Sequence, residues 1–313
     1  MATYSIEPQR ATLHGHFSTD LQPALMIKSG DTVVFKTLEA GWWIEPPKLE
    51  RVGDGGERRK FDRDPERGGG HALCGPVYIE GAEPGMTLQI DIEEVRPGPW
   101  GETIAGGWET PVNRRLGVVG QNTTLIYELD ADRMVGRNQL GREVKLRPFM
   151  GVMGMPPPEK GTHMTPPPRI SGGNIDCKEL VAGTTLYLPI PIKGGLFSTG
   201  DGHALQGDGE VATFAIECPM ERVRLTLTVL PDIHITTPRA RTSEGWLTLG
   251  FDEDLDDAMF MALEGMLQLM MEQHGLSRTE ALALASALVD LRVTQIVNGV
   301  KGVHAVLPHG TTK

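Results

Sequence analysis

The chain holds little from which a disulfide framework, a membrane span or a nucleic-acid surface is built. Its 313 residues contain three cysteines, Cys74, Cys177 and Cys218, widely spaced and with no Cys-x-x-Cys pair. That excludes a zinc ribbon and a dithiol redox motif and leaves reduced thiols as the reading. No run of about 18 apolar residues occurs, and Met1 to Arg10 lacks the apolar centre of a secretory signal, so a soluble, cytoplasmic protein with no membrane partner is expected. Positive charge is also short, with 30 Lys plus Arg against 41 Asp plus Glu and a net charge of −11. Phosphate binding needs clustered cations, so nucleic acid is excluded as a partner. The densest basic stretch, residues 57–64, interleaves Arg and Lys with Glu and Asp and reads as a solvated loop.

Glycine and proline, in contrast, are plentiful at 39 and 23 residues. They punctuate short alternating runs instead of forming low-complexity blocks, the pattern of a strand-rich chain with many turns. The clearest strands are 31–37, 88–95, 123–127, 211–216 and 223–229, with one more buried strand and a turn in 180–198. Lys28-Ser-Gly30-Asp31 and Glu83-Pro-Gly85 are turn signals, each followed directly by a strand. Helix is expected only after residue 252. There an acidic stretch precedes an apolar, methionine-rich segment 258–272 that ends before Gly275, and Ser277-Arg-Thr-Glu280 is a capping box opening a second helix over 281–291. At helical spacing the methionines read as core or subunit contact. Val293 to Val300, with Asn298-Gly299, carries a hairpin signal. These readings divide the chain into a mainly β part, 1–150, and a β-rich part, 151–313, with two late helices and a final hairpin.

Ligand-type residues are densest between 172 and 210. Gly172-Gly-Asn174-Ile-Asp176-Cys177-Lys178-Glu179 and Gly200-Asp201-Gly-His203-Ala-Leu-Gln206-Gly-Asp208-Gly-Glu210 place Asp, His and Glu among glycines that let the backbone approach a bound ion or substrate. Together with Leu196-Phe-Ser-Thr-Gly and Thr185-Leu-Tyr-Leu-Pro189, these stretches closely resemble the acetamidase/formamidase family of short-chain amide hydrolases. Pro23 to Asp31, Phe35 to Ala40, Gly75 to Gly85, Pro148 to Gly154 and Asp290 to His304 agree with it in order along nearly the whole chain. Trp42-Trp43 and the charged stretch 51–70 depart from it, at loops that bear on substrate more than on chemistry. The resemblance implies hydrolysis of formamide or acetamide to the carboxylate and ammonia. It also implies a β-rich α+β fold of packed sandwich-like or barrel-like layers with late helices, and a homo-oligomer.

Amide hydrolysis at neutral pH needs an activated water or nucleophile, a stabiliser for the oxyanion and an acid for the departing amine. A divalent cation, zinc or calcium, supplies the first two. Asp201 and His203, two residues apart, project to one face of an extended segment and are the first choice of ligands. Asp176 and His14 rank next as the third ligand, ahead of His16 and His71. Asn174 is the candidate oxyanion or amide-orienting donor. Glu179, Asp208 and Glu210 are the candidate proton carriers. Arg292 and Lys301 read as structural ion-pair partners. Two alternatives stay open: a non-catalytic module that binds a small ligand or ion, and an amidase using Cys177 as nucleophile. Trp42, Trp43 and the 51–70 loop also allow a wall around a larger substrate pocket.

Overall fold

A computed structural model describes residues 1–47 and 58–311. Alternation sets the strands. In Asp31–Thr37 the side chains of Val33 and Phe35 are wholly buried, and Thr87–Pro97 and Met220–Leu230 repeat the pattern with Leu88, Ile90, Ile92 and Val223, Leu225, Leu227. Burying one face of a pleated strand fixes its register, because a slip of one residue would turn every apolar side chain outward. These three strands lie side by side in an open nine-stranded sheet that runs on through Thr184–Pro189, Arg239–Arg241 and Gly245–Asp252 to the last hairpin.

A second sheet carries the ligand-rich stretches. Its order is Gly172–Asn174, Phe149–Gly154, Phe197–His203, Leu73–Glu80 and Leu13–His14. Strands from both sides of residue 150 interleave in both sheets, so the division expected there runs through the sheets instead of between them. The fold is β-rich α+β, and both sheets are open, without barrel closure.

The late helices form where their caps lie. Leu255–His274 begins at Asp254, whose carboxylate accepts from Asp256 and Asp257 N–H, and ends at Gly275 with φ +65°. Arg278–Leu288 opens on Ser277 and Glu280 in a reciprocal capping box. The longer helix lays Ala258, Ala262, Met266 and Met270 on the outer strands of the large sheet, so its methionines are core. The final hairpin pairs Asp290–Gln295 with Lys301–Pro308 through a loop that contains Asn298-Gly299.

Three expectations change. Residues 211–216 are turn and irregular backbone, not strand, and a short helix, Pro111–Leu116, was not anticipated. Lys301 donates to the Glu253 carbonyl instead of forming an ion pair. Among the described residues no helix is long and apolar enough to cross a membrane.

Met270 is completely buried between helix and sheet. Met270→Ala is expected to cost about 2–5 kcal/mol in urea unfolding, the range for emptying a close-packed site.

Candidate active site

The strand Phe197–His203 ends in a kink. Asp201 holds φ +59°, and Asp176 and Glu210 hold φ +49° and +45°. L residues enter this region at a cost that the surroundings must offset. Here three carboxylates take it, Asp201 between Gly200 and Gly202, Glu210 after Gly209, and Asp176 between Ile175 and Cys177. The kink at Asp201, not simple strand alternation, turns its carboxylate toward His203, with Oδ1 3.4 Å from Nε2.

His203 is oriented from behind. Its Nδ1 lies 2.9 Å from Gln206 Oε1, and Gln206 Nε2 donates to the Asp176 carbonyl at 2.7 Å. The amide therefore accepts at Oε1, which puts the ring proton on Nδ1 and leaves the Nε2 lone pair facing the site. Phe149 packs edge-on against the ring at 5.0 Å. Nε2 also lies 3.2 Å from Glu217 Oε2, without an aligned hydrogen bond to it.

Two triads share this ring: Asp201, His203 and Glu217, and Asp176, His203 and Glu210. Within each, the ligand atoms lie within 4.8 Å of one another, and all five residues are buried. Among the described residues, His203 Nε2, Glu217 Oε2, Asp176 Oδ1 and Glu210 Oε2 have no hydrogen-bond partner, nor do the neighbouring Asn174 Oδ1 and His71 Nδ1. Buried polar atoms are almost always paired, so an unpaired group converging on one hollow is what a ligand would satisfy. Gly151 makes that hollow: a Cβ there would sit 2.6 Å from both Asp176 Oδ1 and Asp201 Oδ2 and 2.9 Å from His203 Cε1.

Crowding acids in a dry site also moves their protons. Burial, then the neighbouring Glu210 charge, raises Asp176 well above the carboxylate range. Glu210 and Glu217 are each pushed up to about 8, chiefly by burial. Burial works against a charged His203, yet Glu217 and Asp201 outweigh it and raise the ring above its ordinary value. Asp201 is also penalised by burial, but the charges of His203 and His71 pull it below the usual range. A divalent cation among these groups would hold the carboxylates ionised and the ring neutral.

The hollow opens into a cavity of about 530 Å³ walled by His71, Asn174, Asp201, Glu210 and Glu217, and also by Trp43, Arg58 and Glu102.

Of the expected site residues, Asn174, Asp176, Asp201, His203 and Glu210 come together, and three do not. His14 is corrected: it is fully buried with both nitrogens engaged, Nδ1 by the His16 carbonyl at 2.8 Å and Nε2 by Ser198 Oγ at 2.9 Å. Burial drives its pKa down to about 3. His16 does not wall the cavity. Glu179 and Asp208 lie in a separate ion-pair cluster. Arg292 bridges them, 2.9 Å from Glu179 Oε1 and 2.6 Å from Asp208 Oδ2, with Arg147 on Glu179 and Lys178 on Asp208. Burial penalises both carboxyls, yet the cations outweigh it and hold them below the carboxylate range, and neither residue is part of the cavity wall. His304 completes a third triad with these two acids, but the three cations already neutralise it. Arg292 is the structural ion-pair partner anticipated.

Glu217 was missed. It sits in irregular chain bridged to His203 on one side and to Glu102 on the other. The one signal for it was an acid alone in the apolar stretch Ala215-Ile216-Glu217-Cys218, which on folding must be paired or ligated. The 57–64 stretch is also corrected in part. Residue 57 lies outside the described residues, but the Arg58 side chain is only 6% exposed and forms part of the cavity wall.

The acetamidase/formamidase family model matches residues 2–163 and 158–309. The chain belongs to that family. An acetamidase from Mycolicibacterium smegmatis is 24% identical over 266 residues, 66% of this chain and 63% of its own length. A formamidase from Methylophilus methylotrophus is 26% identical over 65% of this chain and 60% of its own length. The chain thus spans about three-fifths of the length of these curated family members. The solved structure of an acetamidase from Bacillus halodurans superposes with a TM-score of 0.84 at 28% identity, covering 97% of each chain.

Gly151→Ala is expected to abolish cation binding in a calorimetric titration with zinc, because the added methyl collides with Asp176 and Asp201.

Proposed function

We propose that the chain hydrolyses linear amides to a carboxylate and ammonia with the help of a divalent cation held by Asp201, His203 and Glu217. One observation carries this reading: Asp201, His203 and Glu217 are buried with ligand atoms within 4.8 Å of one another, His203 Nε2 and Glu217 Oε2 have no hydrogen-bond partner among the described residues, and Asp201 and Glu217 reach the 530 Å³ cavity. Family membership supports the amide as substrate. An imidazole with two carboxylates is a donor set for zinc or another first-row cation, whereas calcium takes oxygen ligands throughout. When bound, the cation supplies an acidified water and polarises the amide carbonyl.

The residues divide the remaining work. Glu210, with Oε2 unpaired in the cavity wall, takes the proton from the attacking water and returns it to the departing nitrogen. The water oxygen bonds to the carbonyl carbon, the C–N bond breaks, and ammonia leaves a carboxylate. Asp176, whose Oδ2 accepts from Asn298 Nδ2 at 2.6 Å, lies beside Glu210. Asn174 Oδ1 accepts an N–H of the substrate amide and turns its carbonyl toward the cation. Gln206 keeps the His203 tautomer in which Nε2 is free. Cys177 gives no support to a thiolate mechanism: it is fully buried, it is not part of the cavity wall, and burial pushes its thiol up to about 12.

Ammonia release from formamide, acetamide and propionamide tests the reading. Exhaustive chelation is expected to abolish release and zinc to restore it. Glu210→Gln lowers kcat by roughly 10²–10⁴-fold, and Cys177→Ala retains turnover. Release indifferent to complete metal removal would sink the cation's role, and no release from any simple amide would favour a binding module.

A further inference from the structure

The cavity is far larger than a two-carbon amide needs, since 530 Å³ lies in the range that takes a drug-sized ligand. Its wall is polar in a specific way. Arg58 Nη1 donates to Glu102 Oε1 at 2.6 Å, and the two side chains are 6% and 2% exposed. The guanidinium also stacks on Trp43 at 4.1 Å. Among the described residues two atoms of this buried pair stay unsatisfied, the donor Arg58 Nε and the acceptor Glu102 Oε2, and both residues wall the cavity. Glu39 lies beside them, buried, with its Oε2 accepting from Gly41 N–H at 2.8 Å.

We propose that Arg58 and Glu102 select amides whose acyl chain carries a second, neutral amide-like group, a carboxamide or a ureido group. The proposal rests on the amide-hydrolase reading above and names its substrate class. A carboxamide offers a carbonyl for Arg58 Nε and an N–H for Glu102 Oε2 from one planar group. An alkyl chain leaves both atoms unpaired, as they are without a ligand, and gains neither hydrogen bond. A carboxylate satisfies Arg58 but meets Glu102 and Glu39, and the guanidinium charge is already matched by Glu102. Trp43 holds the guanidinium plane so that little ordering cost remains on binding.

The test compares kcat/KM for ammonia release from succinamide, from isocaproamide, in which an isopropyl group replaces the second carboxamide, and from succinamate, in which a carboxylate does. Succinamide, corrected for its two equivalent ends, is expected to exceed each of the others by about tenfold or more. Arg58→Met is expected to bring it down to the level of isocaproamide. Equal values for all three, or preference for succinamate, would overturn the proposal. The wild-type ranking decides even if the variant fails to fold. Acetamide turnover without the ranking sinks this inference and leaves the hydrolase reading intact. Calorimetric binding of succinamide against isocaproamide reads this wall independently, so loss of turnover on every amide would count against the hydrolase reading alone.

Discussion

The structure depends on one electrostatic constraint: four carboxylates and an imidazole crowd together in one buried cluster. An isolated buried carboxylate is among the costliest groups a fold can contain, and neighbours of the same sign add to the cost. Asp176, Asp201, Glu210 and Glu217 nonetheless converge on His203, and no Lys or Arg side chain pairs with any of them among the described residues. The nearby Glu179 and Asp208 show the contrast, since Arg147, Arg292 and Lys178 neutralise them. One cluster is balanced by the chain itself; among the described residues the other is not, an imbalance that the proposed cation would offset. That difference separates the site from the structural ion pairs that surround it.

The fold is arranged to hold this imbalance open. The strand pairing sets Asn174 opposite Val152 and His203 opposite Phe149, and Gly151 between them packs against Asp176, Asp201 and His203. Left-handed turns at Asp176, Asp201 and Glu210 then aim their carboxylates inward. The ion pair from Arg292 to Asp208 ties the last hairpin to the loop that carries Glu210, so residues far apart in the chain share the work of keeping one acid in place. Arg58, Glu102 and Trp43 line the same cavity.

Much of this was legible in the residues, and for local reasons. The strand Asp31–Thr37 and the helix from Leu255 to His274 are set by alternation and by caps, which are readable over a few positions. Asn174, Asp176, Asp201, His203 and Glu210 stood out because the turns they occupy need glycine close by. What stayed hidden depends on contacts between distant segments. Glu217 joins the site only through bridges to His203 and Glu102. Arg58 looked like one more solvated charge until Trp43 and Glu102 covered it. His14 misled because no spacing rule tells whether both ring nitrogens are already engaged, and Glu179 and Asp208 misled because their guanidinium partners lie far along the chain. Family resemblance carried the kind of reaction, but not these pairings.

Diffraction from crystals of the protein as purified, recorded on both sides of the zinc absorption edge, tests the central claim most directly. The account predicts an anomalous peak about 2.0–2.1 Å from His203 Nε2, with Asp201 and Glu217 oxygens completing the shell. Absence of any peak, with water alone bonded to His203 Nε2, Glu217 Oε2 and Asp176 Oδ1, would contradict it.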